Sequence, residues 1–158
     1  MREGSKTASA ASNGERDALV RRHLRFGWWS LAVFVLVGAG LETLHGLKIG
    51  FYLDASNSTR RLLFTLAHAH GTLLGLVHVA FAVTLGIGVA LSERSLRWAS
   101  SCLMASSVLL PGGFALGGWF ALGGDPGLGV LLVPVGAVTL LTSLLLTGLG
   151  LRGTPGGK

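Results

Sequence analysis

The chain alternates between long apolar stretches and short polar connections. The apolar stretches lie at about residues 26–52, 62–91, 98–122 and 127–151. Each reaches the roughly 20 residues that a helix needs to cross a hydrocarbon core about 30 Å thick. The connections "LDASNSTRR", "SERSLR" and "GGDP" are polar and contain turn residues. We therefore predict four transmembrane helices, called segments one to four below.

The short connections also predict how these helices are arranged. A connection of a few residues joins neighbouring helices that run in opposite directions, so the simplest fold is an all-α four-helix bundle with up-down-up-down topology. This transmembrane domain would span residues 26–152. A disordered basic tail is expected at residues 1–25, which include many Ser, Ala and Gly, and a short tail at residues 153–158.

Segment one has an alternative interpretation as a signal peptide. Its strictly apolar centre, residues 28–41, is short and follows several arginines. The following sequence "VLVGAGLETLHG" is a poor cleavage site, however, and the tail before the segment is long. These two features favour a retained helix.

The distribution of charge supports a membrane location and predicts an orientation. Only 13% of the residues are charged, against about 25% in a soluble domain. Ten of the thirteen Lys and Arg lie in the N-terminal tail, the "SERSLR" connection and the C-terminus. By the positive-inside rule both termini are cytoplasmic, and the protein is a multi-pass protein of the inner membrane. The net charge of +6 does not indicate nucleic acid, because the arginines flank an apolar segment, where they would meet anionic lipid.

Ionisable residues within the apolar segments are the candidates for function, because such residues are costly in a membrane. Glu42 and four histidines, His45, His68, His70 and His78, lie in segments one and two, and we call all of these except His78 the outer group. If the connection between the two segments is centred near residue 56, the members of the outer group fall at nearly the same depth in the outer half of the membrane. His78 lies about 15 Å deeper, at 1.5 Å per residue.

The two remaining histidines receive less weight. His78 is expected to be an interior histidine with satisfied hydrogen bonds, and His23 lies in the basic flank without an assigned role. Within the outer group, Glu42 and His45 share a helix face. His68 and His70 are two residues apart, about 200° around a helix axis, so they cannot both bind one small metal ion.

The segment "HAHGTLLG", residues 68–75, resembles a ligand-bearing helix of the heme-copper oxidase and nitric oxide reductase superfamily. In that superfamily two histidines flanking one residue reach hemes on opposite faces of a helix. The resemblance implies His68 and His70 as axial heme ligands, with His45 as an opposite ligand. Those proteins have about a dozen helices and further histidines, so the resemblance does not imply a complete oxygen- or nitric-oxide-reducing centre. The chain also resembles small uncharacterised bacterial membrane proteins with an H-x-H at the outer start of the second helix.

The function predicted from these features is binding of b-type heme between segments one and two, for electron transfer or gas sensing. Imidazole is a common axial ligand, and helix bundles hold heme between facing helices. Glu42 would orient a ligand ring, and Arg60 and Arg61 would meet the heme propionates. The expected partners are the lipid bilayer and a redox partner or larger membrane complex, with a homo-oligomer possible.

Three alternatives stay open. A single Cu or Zn ion could be bound by Glu42, His45 and one of His68 and His70. The chain could instead be an accessory or scaffolding subunit whose polar layer only fastens helices. It could also be a small proton or solute transporter that uses the same layer. Enzymatic activity is not favoured, because Cys102 has no histidine at its depth and no phosphate-binding loop is present.

Segment three contains two pairs of adjacent glycines, at positions 112–113 and 117–118. Gly113 and Gly117 fit the small-xxx-small spacing that allows membrane helices to approach closely. We expect these residues to lie at a helix contact, or to make room for a bulky flat cofactor.

Overall fold

The computed structural model describes residues 2–89 and 91–152, with side chains from residue 14 onward except at position 55. These ranges are all-α and contain no strand. The predicted tail at residues 153–158 lies outside them. The elements in chain order are α1 (Arg2–Gly46), the single-turn α2 (Gly50–Leu53), a 3₁₀ turn (Ala55–Asn57), α3 (Ser58–Gly86), α4 (Glu93–Trp119), a 3₁₀ turn (Leu128–Leu131) and α5 (Leu132–Arg152).

Four helical stretches are long and apolar enough to cross a membrane, at residues 14–46, 58–86, 93–119 and 128–152. The four predicted segments are thereby confirmed as candidate membrane spans. The largest difference from the prediction is at the start of segment one. The expected tail covers residues 1–25, whereas α1 is continuous through residues 14–25 and carries His23 as part of the helix.

The long helices contact one another in the order of the chain, α1 on α3, α3 on α4 and α4 on α5. The two middle helices are therefore packed on both sides. In the most apolar 18-residue stretch of each helix, 39% of α3 and 44% of α4 are buried, against 6% of α1 and 11% of α5. The apolar faces that α1 and α5 leave exposed suit contact with lipid.

Glycines set how closely α1 approaches α3. A methyl group built on Gly27 would lie 2.8 Å from the carbonyl oxygen of Gly75, so the two backbones are in direct contact there. Gly71 leaves room for the ring of Phe34 in the same way. The hydroxyl of Ser30 donates to the carbonyl of Gly71 at 3.3 Å. Residues earlier in α1 therefore contact residues later in α3.

The glycines of segment three behave as their spacing predicts. Gly113 and Gly117 are both buried. A methyl group built on Gly113 would meet the carbonyl oxygen of Gly129 at 3.1 Å, and one on Gly117 would meet Val130 at 3.4 Å. They allow the turn at Leu128–Leu131 to pack closely on α4.

Hydrogen bonds fasten the start of α3 to the residues that follow α4. The side-chain amide of Asn57 donates to the carbonyl of Ala121 at 2.9 Å, and the hydroxyl of Thr59 donates to the carbonyl of Gly124 at 2.6 Å. Asp54 caps the first 3₁₀ turn, and hydrogen bonds from the side chain and backbone of Ser56 lower the pKa of its carboxyl. The connection between α1 and α3 is thus compact, and it includes a short helix that the hydrophobic pattern does not predict.

Candidate functional site

The outer group does not form a single layer. Glu42 and His45 are exposed and line an outer cavity of about 500 Å³ together with Tyr52 and Arg61. The ring of His45 lies 6.5 Å from that of Tyr52, measured between centroids. These two members of the group therefore face the connection between α1 and α3, at the edge of the membrane domain.

His68 points toward α1. Its Nδ1 lies 2.8 Å from the carbonyl oxygen of Phe34. A carbonyl can only accept, so Nδ1 carries the proton. A methyl group built on Gly38 would lie 2.5 Å from Cε1 of His68, which shows that the imidazole rests against the α1 backbone. His68 thus fills the contact between two helices.

His70 points the other way, toward α4. Its Nδ1 donates to the carbonyl of Leu66 at 2.8 Å, and its ring centroid lies 4.8 Å from that of Phe114. The predicted opposite directions of His68 and His70 agree with these contacts. In both residues Nδ1 is occupied by a backbone carbonyl, and Nε2 is left with its lone pair.

The helix register explains why the outer group is dispersed. The contacts between α1 and α3, from Gly27 with Gly75 to Gly38 with His68, are centred on residues 51–53, not on residue 56. Moving the centre by three to five residues moves every partner by six to ten, or about 9–15 Å along a helix. Glu42 and His45 consequently lie level with the start of α3.

This geometry bears on the metal and heme predictions. Within residues 2–89 and 91–152, no group of three or more His, Cys, Asp or Glu is placed to hold a metal ion. The structure therefore does not support a Cu or Zn ion shared by Glu42, His45 and one of His68 and His70. A heme between His68 and α1 does not fit this conformation either, because the imidazole touches the helix backbone.

The two arginines assigned to heme propionates have other positions. The guanidinium of Arg60 donates to the carbonyl of Ala121 at 2.9 Å and lies 4.4 Å above the ring of Phe51. Arg61 lines the outer cavity. Arg60 is thus engaged in fastening the start of α3 to the end of α4.

A second polar group, which the sequence did not reveal, lies near the other end of the helices. His23 of α1 and His78 of α3 are both completely buried, and their Nδ1 atoms are 2.6 Å apart. Their rings are stacked with centroids 4.8 Å apart and planes inclined by 23°. The two imidazoles are joined directly by a hydrogen bond.

Two serines of α4 extend this hydrogen bond into a chain. Nε2 of His23 lies 2.8 Å from Oγ of Ser100, and Nε2 of His78 lies 2.8 Å from Oγ of Ser107. The hydroxyl of Ser107 also donates to the carbonyl of Leu103 at 3.0 Å. We call Ser100, His23, His78 and Ser107 the inner cluster. It joins three helices, and all four side chains are buried.

Only one arrangement of protons satisfies all these contacts with neutral imidazoles. The hydrogen of Ser107 is used on Leu103, so Ser107 must accept from Nε2–H of His78. Nδ1 of His78 then accepts from Nδ1–H of His23, and Nε2 of His23 accepts from the hydroxyl of Ser100. The inner cluster is therefore a chain of hydrogen bonds that all point from Ser100 toward Ser107.

Aromatic side chains enclose the inner cluster. The ring centroid of Phe26 lies 4.4 Å from that of His78. The ring centroid of Phe81 lies 4.7 Å from that of His23, and these two rings are arranged edge to face. Apolar surroundings strengthen each hydrogen bond and make an unpaired polar group costly. The cluster is thus enclosed by apolar groups and internally satisfied.

Two grooves border the inner cluster. The basic groove, about 500 Å³ in volume, is lined by Phe26 and by Arg21, Arg22 and Arg25 of α1 with Met104 of α4. The apolar groove, about 490 Å³ in volume, lies between α1 and α4 over α3. Its walls include Phe34, Leu41, Phe64, Ser107, Pro111 and Ala115. Phe26 separates His78 from the basic groove, and Ser107 belongs to both the inner cluster and the apolar groove.

His23 was missed because the start of segment one was placed at Phe26, where continuous hydrophobicity begins. A helical pattern was nevertheless available: His23 is four residues before Gly27 and seven before Ser30, so all three share the α1 face that contacts α3. A polar residue that lies on the same helix face as residues of a helix contact is expected to be buried in that contact.

Comparison with known proteins yields no match, whether with protein-family models, with curated proteins or with solved structures.

Proposed function

We propose that this chain is an integral membrane protein that relays protons between its cytoplasmic face and the interior of the bilayer through the inner cluster. The observation that carries the proposal is the continuous hydrogen-bonded chain from Ser100 through His23 and His78 to Ser107. The two serines are seven residues apart on α4, so the relay extends about 10 Å along the helix axis. Chains of Asp, Glu or His inside membranes are typical of proton relays.

The proposal includes the orientation predicted from the sequence, with up-down topology and both termini in the cytoplasm. The opposed order of contacts between α1 and α3 supports the topology. Trp98 and Trp119, both exposed, mark the two ends of α4 and are separated by about 32 Å at 1.5 Å per residue, close to the thickness of the hydrocarbon core. Trp28 and Trp29 are exposed on α1 near the end that carries the arginines, as in an interfacial aromatic belt.

The direction of the hydrogen bonds in the inner cluster determines how a proton would move. When Ser100 passes its hydroxyl proton to Nε2 of His23 and takes another from the cytoplasmic side, the proton on Nδ1 of His23 can pass to Nδ1 of His78. The proton on Nε2 of His78 then passes to Ser107, which releases its own hydroxyl proton to a proton acceptor bound in the apolar groove. Both imidazoles end in the opposite tautomer, and the bond from Ser107 to Leu103 is lost. The relay must therefore exchange both tautomers before it transfers a second proton in the same direction.

Hydrogen exchange at the two imidazoles tests this proposal. The full chain, labelled with ¹⁵N-histidine in lipid nanodiscs, should show His23 with its proton on Nδ1 and His78 with its proton on Nε2. In D₂O both imidazole protons should exchange much faster than the backbone amides of Gly75 and Leu74 in the neighbouring turn of α3. Those amides exchange only when the helix opens.

The Ser100→Ala variant provides the matched comparison. It removes the link at the cytoplasmic end and should slow exchange at His23 and His78 while leaving the amides unchanged. If the wild-type imidazole protons persist as long as the neighbouring amides, the inner cluster only fastens helices and the proposal is wrong.

Heme binding is the second candidate, favoured by the tautomers of the H-x-H pair. A histidine that ligates a metal usually donates its other ring N–H to a carbonyl or carboxylate, as His68 and His70 both do. His70, whose ring faces α4 and not the α1 backbone, is the better placed of the two. The purified chain expressed with ample heme should then show a Soret band that His70→Ala removes and His45→Ala retains. Colourless protein would exclude this candidate.

A further inference from the structure

We propose that the apolar groove binds the headgroup of a membrane-soluble quinone or quinol, with one ring oxygen hydrogen-bonded at Ser107. This inference rests on the proposed function, because the ring would lie at the end of the proton relay. It assigns a ligand class to a groove that borders the inner cluster and is distinct from the outer group.

Among the described residues that line the groove, Ser107 alone has a polar side chain. Its hydroxyl is the last member of the relay, and the residue as a whole is only 9% exposed. The carbonyl of Ser107 would ordinarily accept a hydrogen bond from the backbone N–H four residues later, but that residue is Pro111, which has no N–H. Ser107 therefore offers a hydroxyl, which can donate to a ring oxygen once it turns away from the carbonyl of Leu103, and a carbonyl without its usual helical donor. The ring carbonyl of a quinone suits the hydroxyl of Ser107, and the ring hydroxyl of a quinol suits its backbone carbonyl.

The remainder of the groove suits a flat apolar ring. Phe34 of α1 and Phe64 of α3 provide aromatic walls, and Val108 and Ala115 of α4 are aliphatic. The volume of about 490 Å³ lies within the range of pockets that hold small molecules. A membrane-facing groove of this composition is reached from the hydrocarbon core, so its ligand is lipid-soluble. A phospholipid acyl chain would fill the apolar part but leave the carbonyl of Ser107 without a donor.

Photolabelling of the full chain in lipid nanodiscs tests the site. The probe is a photoreactive azido-benzoquinone with a decyl tail, and labelled peptides are identified by mass spectrometry. Labelling is expected within residues 34–41 and 107–115. Unlabelled decyl-benzoquinone should suppress it, and decanol, which has the same tail without the ring, should not. Labelling elsewhere, or equal suppression by decanol, would overturn the proposal by indicating a different surface or an acyl-chain site.

A matched pair of glycine variants controls for folding. A methyl group built on Gly112, in the groove, meets no atom within 4 Å, so Gly112→Leu fills the groove without a backbone clash. Gly148 on α5 is equally open and is exposed to lipid. Gly112→Leu should abolish specific labelling, and Gly148→Leu should retain it. Unchanged labelling in Gly112→Leu would also overturn the proposal.

Ser107→Ala tests the contact with the ring oxygen. Loss of one hydrogen bond should weaken the competition by decyl-benzoquinone about three- to tenfold. Equal competition in the variant and the wild type would show that Ser107 does not hold the ring.

The two proposals fail in different ways. Fast imidazole exchange without quinone labelling would support the proton relay and contradict the quinone site. Specific labelling with slowly exchanging imidazole protons would support the quinone site and contradict the relay.

Discussion

The two histidine groups of this protein differ in what surrounds them. The outer group is the more conspicuous in the sequence, with an H-x-H motif and a nearby Glu-x-x-His, but its members face three different environments. The inner cluster uses two histidines 55 residues apart that share no local motif, and it is buried and fully hydrogen-bonded. Motif density indicates where polar residues are concentrated along the chain, whereas burial depends on which faces the helices turn toward each other.

The largest expected effect separates the two groups directly. His78→Ala removes a buried ring and leaves the side chains of His23 and Ser107 without their partner, which we expect to lower the free energy of unfolding by about 2–4 kcal/mol. His45→Ala, on an exposed ring, should change it by less than about 0.5 kcal/mol. Unfolding followed by tryptophan fluorescence in bicelles measures both. Equal effects would mean that burial does not distinguish the two groups.

A change at Gly27 should disturb the inner cluster without touching a histidine. The methyl group of Gly27→Ala would meet the backbone of Gly75, so α1 must move away from α3, at a cost of about 1–3 kcal/mol. Gly40, on the same helix, has open space around it, and Gly40→Ala should be neutral or slightly stabilising.

The readout that links Gly27 to the inner cluster is the ¹⁵N spectrum of the histidines. In Gly27→Ala the signals of His23 and His78 should shift strongly, because the distance between their Nδ1 atoms increases. Those of His45 should stay in place. Unperturbed signals from the inner pair would show that the glycine contact does not set the distance between them.

Ser100→Ala is a smaller change to the hydrogen bonds of the inner cluster. It removes the donor to Nε2 of His23 and should cost about 1 kcal/mol. Its neighbour Ser101 is exposed, and Ser101→Ala should have little effect on unfolding. A cost for Ser100→Ala no larger than that for Ser101→Ala would contradict a stabilising hydrogen bond between Ser100 and His23.

The smallest effects are expected at the H-x-H motif. His68→Phe keeps a flat ring at the helix contact and removes one hydrogen bond across α1 and α3, worth about 0.6 kcal/mol in a membrane protein. His70→Phe removes a bond within its own helix and should cost less. Unfolding in bicelles compares the two, and a larger cost at His70 would mean that this residue has a structural role beyond its contact with Phe114.

The sequence by itself determined the four helical spans and the opposite directions of His68 and His70, because both depend on local periodicity. Continuous hydrophobicity of about 20 residues predicts a span, and two residues along a helix always differ by about 200°. Only the tertiary structure decided the register of α1 against α3. That register depends on glycine contacts between residues far apart in the chain and on the folding of residues 47–57 into a compact connection. Close packing at Gly27 and Gly75 brings His23 to His78 and leaves His45 at the edge, and no pattern within either helix encodes that choice.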